Sequence, residues 1–476
     1  MASRLLGIVN TVVLVRLLSP SDFGLVALAF SFSLAIDSVS YLGVEDALVR
    51  EPTLDRAMYD TGFTMTILRG LLTTLVIAAC AWPAAQFFGD RRLGPVFLAL
   101  GAAMFLTSVE NVGTIDFQRD MTFGKQVQLL FLPRIASIIV TMACAFLWQS
   151  YWALVAGVVT TRGLRAVLTY LVHPYRPHLT LRAWRRLIGF SFWSWLLSLT
   201  ALLQSRSDTM ILGGYLNPTA VGVYSVGSEV GSLASSELMD PISRVLYAGF
   251  ASARREGGGV GWAYSRAISL VVLLSLPASA GIALLARPMM HLVFGVRWDA
   301  AVPLAQLFAF IGMFRLGGAV SGALLTVEGR MNLNFRIELT CAVLRIIVLL
   351  ALVPAFGLIG AALGVAAVGL VQEAIFLVVT FRLAGLHGRH LASCVWRPAL
   401  AAGVMALVLL AAGLHEPVAD LGVVWSGLRL MAAALVGAVA YGATLWLAWR
   451  AAGRPNGAET YVLEVVGQTW RGWRAR

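Results

Sequence analysis

Charged side chains interrupt the longest apolar runs of this chain. The basic ones are Arg69, Arg134, Arg162, Arg165, Arg206, Arg315, Arg345 and Arg429. The acidic ones include Asp37, Glu110, Asp208, Glu229, Glu237, Glu338 and Glu373. A charge placed mid-bilayer costs at least about 2.5–3.5 kcal/mol, so such residues face a water-filled cavity or a partner. Guanidinium binds phosphate oxygens in a two-pronged manner and stays charged at any working pH, so a set of buried arginines is chemistry suited to an anionic headgroup. Arg206, in Gln204-Ser205-Arg206-Ser207-Asp208, is the first candidate; the competing reading is a local ion pair with Asp208 or a bond to a neighbouring helix. Arg69, Arg134 and Arg315 follow as candidate cavity cations. Arg162, Arg165, Arg345 and Arg429 lie nearer the ends of runs, where long side chains snorkel. Asp37, Asp208 and Glu229 are candidate protonation sites for coupling to a proton or sodium gradient, since burial beside lipid makes a carboxylate a usable switch. The alternative for each is neutralising a nearby arginine. Glu45 and Asp46 read as interfacial.

Composition says what surrounds these charges. Of 476 residues, 59% are apolar and 13% charged, against about 25% charged in an ordinary soluble domain. That excess must face lipid. The net charge of +12 in a soluble protein would suggest nucleic acid. Here the basic residues sit in short connections between apolar runs, and no nucleic-acid partner is expected. Cys80, Cys144, Cys341 and Cys394 form no CxxC and read as small buried hydrophobes. No metal site, cofactor site, P-loop, H-E-x-x-H or G-x-S-x-G is present in the sequence, and the histidines do not cluster. Phe190-Phe192-Trp193-Trp195 reads as an interfacial belt, with carbohydrate stacking as the minor alternative.

Apolar runs long enough to cross a bilayer cover residues 4–18, 23–48, 61–85, 94–115, 127–148, 151–172, 188–213, 218–242, 267–288, 302–326, 336–353, 356–381, 396–414 and 423–449. The fold class is therefore an all-α polytopic membrane protein of about 14 spans. Orientation follows from the 36 Lys and Arg. Connections after odd-numbered spans hold five: Arg16, Arg91, Arg92, Arg287 and Arg297. The N-terminus, the even connections and the C-terminal tail hold 23. Both termini are expected in the cytoplasm. The tail, 451–476, is basic and carries Trp470 and Trp473; it reads equally as a surface-lying segment or a disordered end.

A repeat is legible. Leu18-Ser19-Pro20-Ser21-Asp22-Phe23-Gly24 and Leu216-Asn217-Pro218-Thr219-Ala220-Val221-Gly222 share the pattern L-[S/N]-P-[S/T]-x-apolar-G. Each predicts a tight turn with a capping Ser or Asn and a proline opening the next helix. Phe88-Gly89 with Pro95 is answered by Phe294-Gly295 with Pro303. An offset of six spans preserves orientation, which predicts parallel six-helix lobes over 1–175 and 185–390, followed by two more spans within 395–450.

The first of these turns, Val15-Arg16-Leu17-Leu18-Ser19-Pro20-Ser21-Asp22-Phe23-Gly24-Leu25, resembles one near the start of Wzx-type polysaccharide flippases, nearest to the group typified by the colanic acid exporter. Arg244-Val245-Leu246-Tyr247-Ala248-Gly249-Phe250-Ala251 and Leu292-Val293-Phe294-Gly295-Val296-Arg297-Trp298 resemble further stretches of that group, and the likeness runs over nearly the whole chain. The resemblance implies the MOP superfamily, with two lobes in a V around a central cavity working by alternating access. It implies an inner-membrane transporter, not an enzyme, that flips undecaprenyl-pyrophosphate-linked oligosaccharide repeat units. It sets Arg206 at a lobe interface. A polysaccharide polymerase and a chain-length regulator are the protein partners expected alongside the lipid substrate. Members usually carry more sequence before this turn, so the first helix is expected to be short or to begin upstream. Alternatives are a relative exporting drugs or flipping a peptidoglycan precursor, and a membrane glycosyltransferase or polymerase. That last class needs a sizeable outer loop with catalytic acids, which the short connections do not provide.

Overall fold

The computed structural model describes residues 13–41, 43–50, 54–119, 122–255, 260–315, 317–386, 388–417 and 422–455, with positions 10 and 460. Most of the first run's opening half and the tail with Trp470 and Trp473 lie outside them. So do the side chains of Glu45, Asp46, Phe190, Phe192, Trp193, Glu237 and residues 241–249. Every regular element among the described residues is helical.

The chain forms two compact units, Met1–Ser225 and Val226–Arg476. The first holds α1 (Pro20–Val39), α2 (Val44–Arg50), α3 (Arg56–Phe87), α4 (Leu93–Ser108), α5 (Phe123–Trp148), α6 (Trp152–Val172), α7 (Trp184–Tyr215) and the start of α8 (Pro218–Arg255). The second holds the rest of α8, then α9 (Val260–Val293), α10 (Val302–Gly312), α11 (Gly318–Val327), α12 (Met331–Leu383), α13 (Gly388–Ala411) and α14 (Val423–Ala451). Eight of these helices are long and apolar enough to cross a membrane. Their exposed Leu, Val, Phe and Trp side chains are too many for a water-facing surface. The chain is a multi-pass membrane protein.

The two L-x-P turns are built as their residues dictate. Ser19 and Asp22 form a reciprocal capping box: the Asp22 amide donates to Ser19 Oγ at 3.2 Å, and the Ser19 amide donates to Asp22 Oδ2 at 3.0 Å. Pro20 opens α1 at a position whose N–H would have no helical partner. In the second turn Asn217 Oδ1 accepts from the Ala220 amide at 2.9 Å. These satisfied ends leave the backbones free to approach. A Cβ on Gly24 would lie 1.6 Å from the Pro218 carbonyl oxygen, and one on Gly222 would lie 1.9 Å from the Pro20 carbonyl oxygen. The contact is reciprocal: each glycine faces the other turn's proline carbonyl.

Two spans differ from their sequence outlines. The run 302–326 is two helices, broken between Gly312 and Gly318, because Arg315 and the Gly317-Gly318 pair cannot continue an apolar helix cheaply. The run 94–115 likewise ends as a helix at Ser108 and continues in a short 3-10 turn, Val112–Ile115, capped by Asn111. α12, nominally 53 residues, is a hairpin. Gly357 has φ +57° and ψ −132°, and Gln372 Nε2 donates to Glu338 Oε2 at 3.0 Å. A straight helix would set those two residues about 50 Å apart. At the tip, a Cβ on Gly360 would meet the Leu352 carbonyl oxygen at 2.2 Å. The reversal at 354–357 falls where the two runs read from the sequence, 336–353 and 356–381, meet.

Candidate functional site

Arg206 projects from α7 and is half-buried. Nine residues separate it from the end of α7, about 14 Å, or roughly half the thickness of a bilayer core. Its guanidinium stacks over the Phe30 ring of α1, 5.9 Å from the centroid. No carboxylate among the described residues lies within ion-pair distance of it. Asp208 takes other partners. It is buried, it accepts from Tyr224 Oη at 2.9 Å, and its Oδ1 accepts from the Thr209 amide at 2.8 Å. The local Arg206–Asp208 pair is therefore not formed. Residues two apart on a helix point to different faces, so the spacing alone could have removed that reading.

Arg69, on α3, pairs with Asp37 of α1 through Nη2 and Oδ1. It also donates to the Asp37 carbonyl oxygen at 3.1 Å and lies over the Tyr41 ring at 5.3 Å. These two candidates answer each other. They also align with Arg206. Phe30 and Asp37 are seven residues apart, two turns, so they share one face of α1 about 10 Å apart along its axis. Two cations, from α7 and α3, are thus laid along one stripe of α1. Arg134, mid-way along α5, is exposed among the exposed apolar side chains Leu130 and Ile135. Glu229 is exposed on α8.

In the second unit, Arg315 lies in the break between α10 and α11. Its side chain keeps exposed surface. Glu373 of α12 is buried, and its carboxylate accepts from the amides of Gly317 and Gly318, the latter at 3.2 Å, at the opening of α11. A carboxylate there satisfies amides with no helical partner and complements the helix dipole. Glu373, Glu338 and Arg345 are the charges that act on Arg315.

Three of the other intramembrane arginines have specific partners in the structure. Arg165 pairs with Glu110 at 3.1 Å, Arg162 donates to Thr107 Oγ1 at 2.7 Å, and Arg429 donates to the Gly413 carbonyl oxygen at 2.7 Å. Sequence reasoning missed Glu373 as a helix cap, and Tyr224 and Phe30 as partners. The Gly317-Gly318 pair beside an arginine was the available signal for the first; nothing local marks the other two.

Outside the spans, the segment 173–183 is strapped to the start of α3. The His178 amide and Tyr175 Oη each donate to Asp60 Oδ1 at 2.7 Å, and the Thr180 amide donates to Thr64 Oγ1 at 2.9 Å. Burial first, then the hydrogen bond to Asp60, push the Tyr175 phenol well above its usual range. Between α3 and α4, the Arg92 guanidinium holds the Asp90 carboxyl below its usual range. Among the described residues no group of His, Cys, Asp and Glu is placed to hold a metal ion.

A family model described as polysaccharide biosynthesis protein matches residues 13–303, more than half of the chain. The chain belongs to that family. Among this family member's relatives is the lipopolysaccharide biosynthesis protein WzxC of Escherichia coli K12, 21% identical over 398 residues that cover 83% of this chain and 81% of that protein. Another is the succinoglycan biosynthesis transport protein ExoT of Rhizobium meliloti, 24% identical over 63% of this chain and 61% of that protein. Among solved structures, the lipid II flippase MurJ in its inward closed conformation superimposes with a TM-score of 0.73 at 14% identity, covering 95% of this chain and 98% of that one. An inward-facing MATE multidrug transporter of the MOP superfamily gives 0.62 at 15% identity, over 80% and 95%. The fold of this polysaccharide biosynthesis family member is that of the MOP transporters. Helix breaks beside charged residues, like those at Glu110 and Arg315, fit a transporter, where irregular backbone inside a membrane lines a cavity or is covered by protein.

Proposed function

We propose that this chain flips undecaprenyl-pyrophosphate-linked oligosaccharide repeat units across the bacterial inner membrane by alternating access, for export of a surface polysaccharide. The carrying observation is Arg206: a mid-depth cation, half-buried, with an aromatic ring rather than a carboxylate beneath it. Such a cation is held ready for a mobile anion. Arg69, two turns along the same α1 stripe, offers the diphosphate a second position once it lets go of Asp37. Arg315 and Arg134 serve as further cations of the path. Of Asp37, Asp208 and Glu229, Asp208 suits ion coupling best, because it is buried and its proton would compete directly with the Tyr224 hydrogen bond. The work is transport, not catalysis. The lobes are 1–175 and 185–390, and the reciprocal approach of Gly24 and Gly222 supports a two-fold relation between their first turns. Both termini lie in the cytoplasm, and a polysaccharide polymerase and chain-length regulator receive the flipped units.

The test is polysaccharide export in a strain lacking the native gene, with protein level followed in parallel. Arg206→Ala removes a charge-assisted interaction and should cut export about ten- to a hundred-fold at normal protein level. Arg206→Lys keeps the charge without the fork and should transport poorly. Full export by Arg206→Ala would overturn the assignment.

A further inference from the structure

Arg162 stands at the middle of α6. Equal lengths of helix, about 15 Å each, separate it from the two ends, in a bilayer core about 30 Å thick. Snorkelling, expected for it from the sequence, is not open to it at that depth. Its guanidinium has one hydrogen bond, from Nη1 to Thr107 Oγ1 of α4 at 2.7 Å. No carboxylate among the described residues lies within ion-pair distance of it, and the residue keeps exposed surface. Asp37, Glu110 and Arg165 are the charges that act on it. Both carboxylates are already taken: Asp37 by Arg69, and Glu110 by Arg165 at 3.1 Å. These groups form one polar layer of the first unit. Arg69 Nε donates to Ser40 Oγ at 3.4 Å, and Ser40 Oγ meets Thr73 Oγ1 of α3 at 2.7 Å. α3 and α4 touch at the next position, where a Cβ on Gly70 would lie 1.9 Å from Ser108 Oγ. Arg69 and Thr107 flank that contact in the chain. On α6, Arg162 and Arg165 share a face. Three guanidinium groups thus face two carboxylates, and the unmatched one is Arg162.

We infer that Arg162 is a further phosphate-binding residue of the transport path, beside Arg206 and Arg69; this deepens the flippase reading and rests on it. A guanidinium at mid-depth with a neutral hydroxyl for its partner still lacks a counter-charge. The diphosphate of the lipid carrier supplies one, through charge-assisted bonds to the donors that Thr107 leaves open. The two ion pairs have their own part. Arg69 keeps Asp37, and Arg165 keeps Glu110, from quenching Arg162. Arg165 is therefore a positioning residue: it acts through Glu110 and does not touch the ligand. Asp37 stands in the field of both Arg69 and Arg162. The release that frees Arg69 for the diphosphate turns the Asp37 charge on Arg162, so the anion passes from one arginine to the other.

Native mass spectrometry of the full-length protein in detergent, titrated with undecaprenyl pyrophosphate or phosphatidylglycerol, tests it, with the melting temperature of every variant recorded. The wild type should retain the pyrophosphate several-fold better than phosphatidylglycerol. Arg162→Gln should weaken that retention about ten-fold. Arg162→Lys, which keeps the charge without the fork, should recover part of it. Arg165→Gln frees Glu110 to take Arg162 and should also weaken retention. Adding Glu110→Gln to Arg165→Gln removes the competing carboxylate and should restore it, a rescue that a merely structural ion pair would not give. Unchanged retention by Arg162→Gln overturns the assignment. If Arg162→Gln does not fold, the Arg165 variants decide. Wild-type retention by Arg165→Gln overturns the inference, and so does a double variant that regains nothing. Equal retention of the two lipids by the wild type would instead overturn the flippase reading and take this inference with it, so the two failures are separate results.

Discussion

Asp37 and Arg69 lie 32 residues apart in sequence, on different helices, and their pairing poses a question at the level of single side chains. A partly buried pair that loses one member leaves the other charge uncompensated. Arg69→Ala and Asp37→Ala should each lower protein level. The double variant Asp37→Ala/Arg69→Ala should recover the level, because no lone charge remains. Export should not recover with it if Arg69 takes the diphosphate. Recovery of both in the complementation strain would assign Arg69 a structural role alone. The Asp208–Tyr224 bond makes a different demand. Tyr224→Phe leaves the buried carboxylate one donor short and should cost about 1–3 kcal/mol, read as a lowered melting temperature in detergent. Tyr224 is fully buried and reaches Asp208 from the helix that follows the second L-x-P turn, so this bond ties α7 to the start of α8.

Helix contacts decide the next set of outcomes. At the crossing of α1 and α8 each backbone occupies the space a side chain would need, and no flexible group can yield there, because the clashing atoms are main-chain. Gly24→Val and Gly222→Val should each abolish export by forcing the two turns apart. Gly281→Ala on α9, where nothing lies within 4 Å of the added carbon, should export normally. Normal export by Gly24→Val would show that the close approach has no bearing on transport. The broken helix gives a second case. Glu373→Ala strands the Gly317 and Gly318 amides in a buried site and should cost about 1–3 kcal/mol for each. Glu373→Gln still offers one oxygen and should cost less. Equal melting temperatures for the two variants would mean that the cap does not hold the break.

For the molecule as a whole, the distribution of arginine and lysine predicts a topology that labelling can check. A cysteine at 218 should react with an impermeant thiol reagent added outside the cell, and one at 184 only after the membrane is opened. The reverse labelling would overturn the proposed orientation. The compact units divide at Ser225, within α8, whereas the proposed lobes divide near residues 175–185. These are boundaries of different kinds. α7 would open the second proposed lobe, yet it packs on α1, α2 and α3, and that packing brings Arg206 over Phe30.

What the sequence determined was whatever depends on near neighbours. Apolar runs of bilayer length became helices because lipid demands internally satisfied backbones. Ser19, Pro20 and Asp22 specified their own turn, and the glycines at 24 and 222 were visible as a repeated pattern. The reversal in α12 was legible as two runs meeting at Pro354. The sequence also set which ionisable residues must be special, since a charge in an apolar run is costly wherever it points. It could not say what each charge meets. Arg69 finds Asp37, Arg165 finds Glu110, and Glu373 finds the amides at 317 and 318 across 55 to 56 residues or fewer. Each pairing depends on the register of helices brought together by folding. Arg206 shows the division most clearly: its type and depth were written in the chain, but only the packing of α7 against α1 gave it an aromatic ring in place of Asp208.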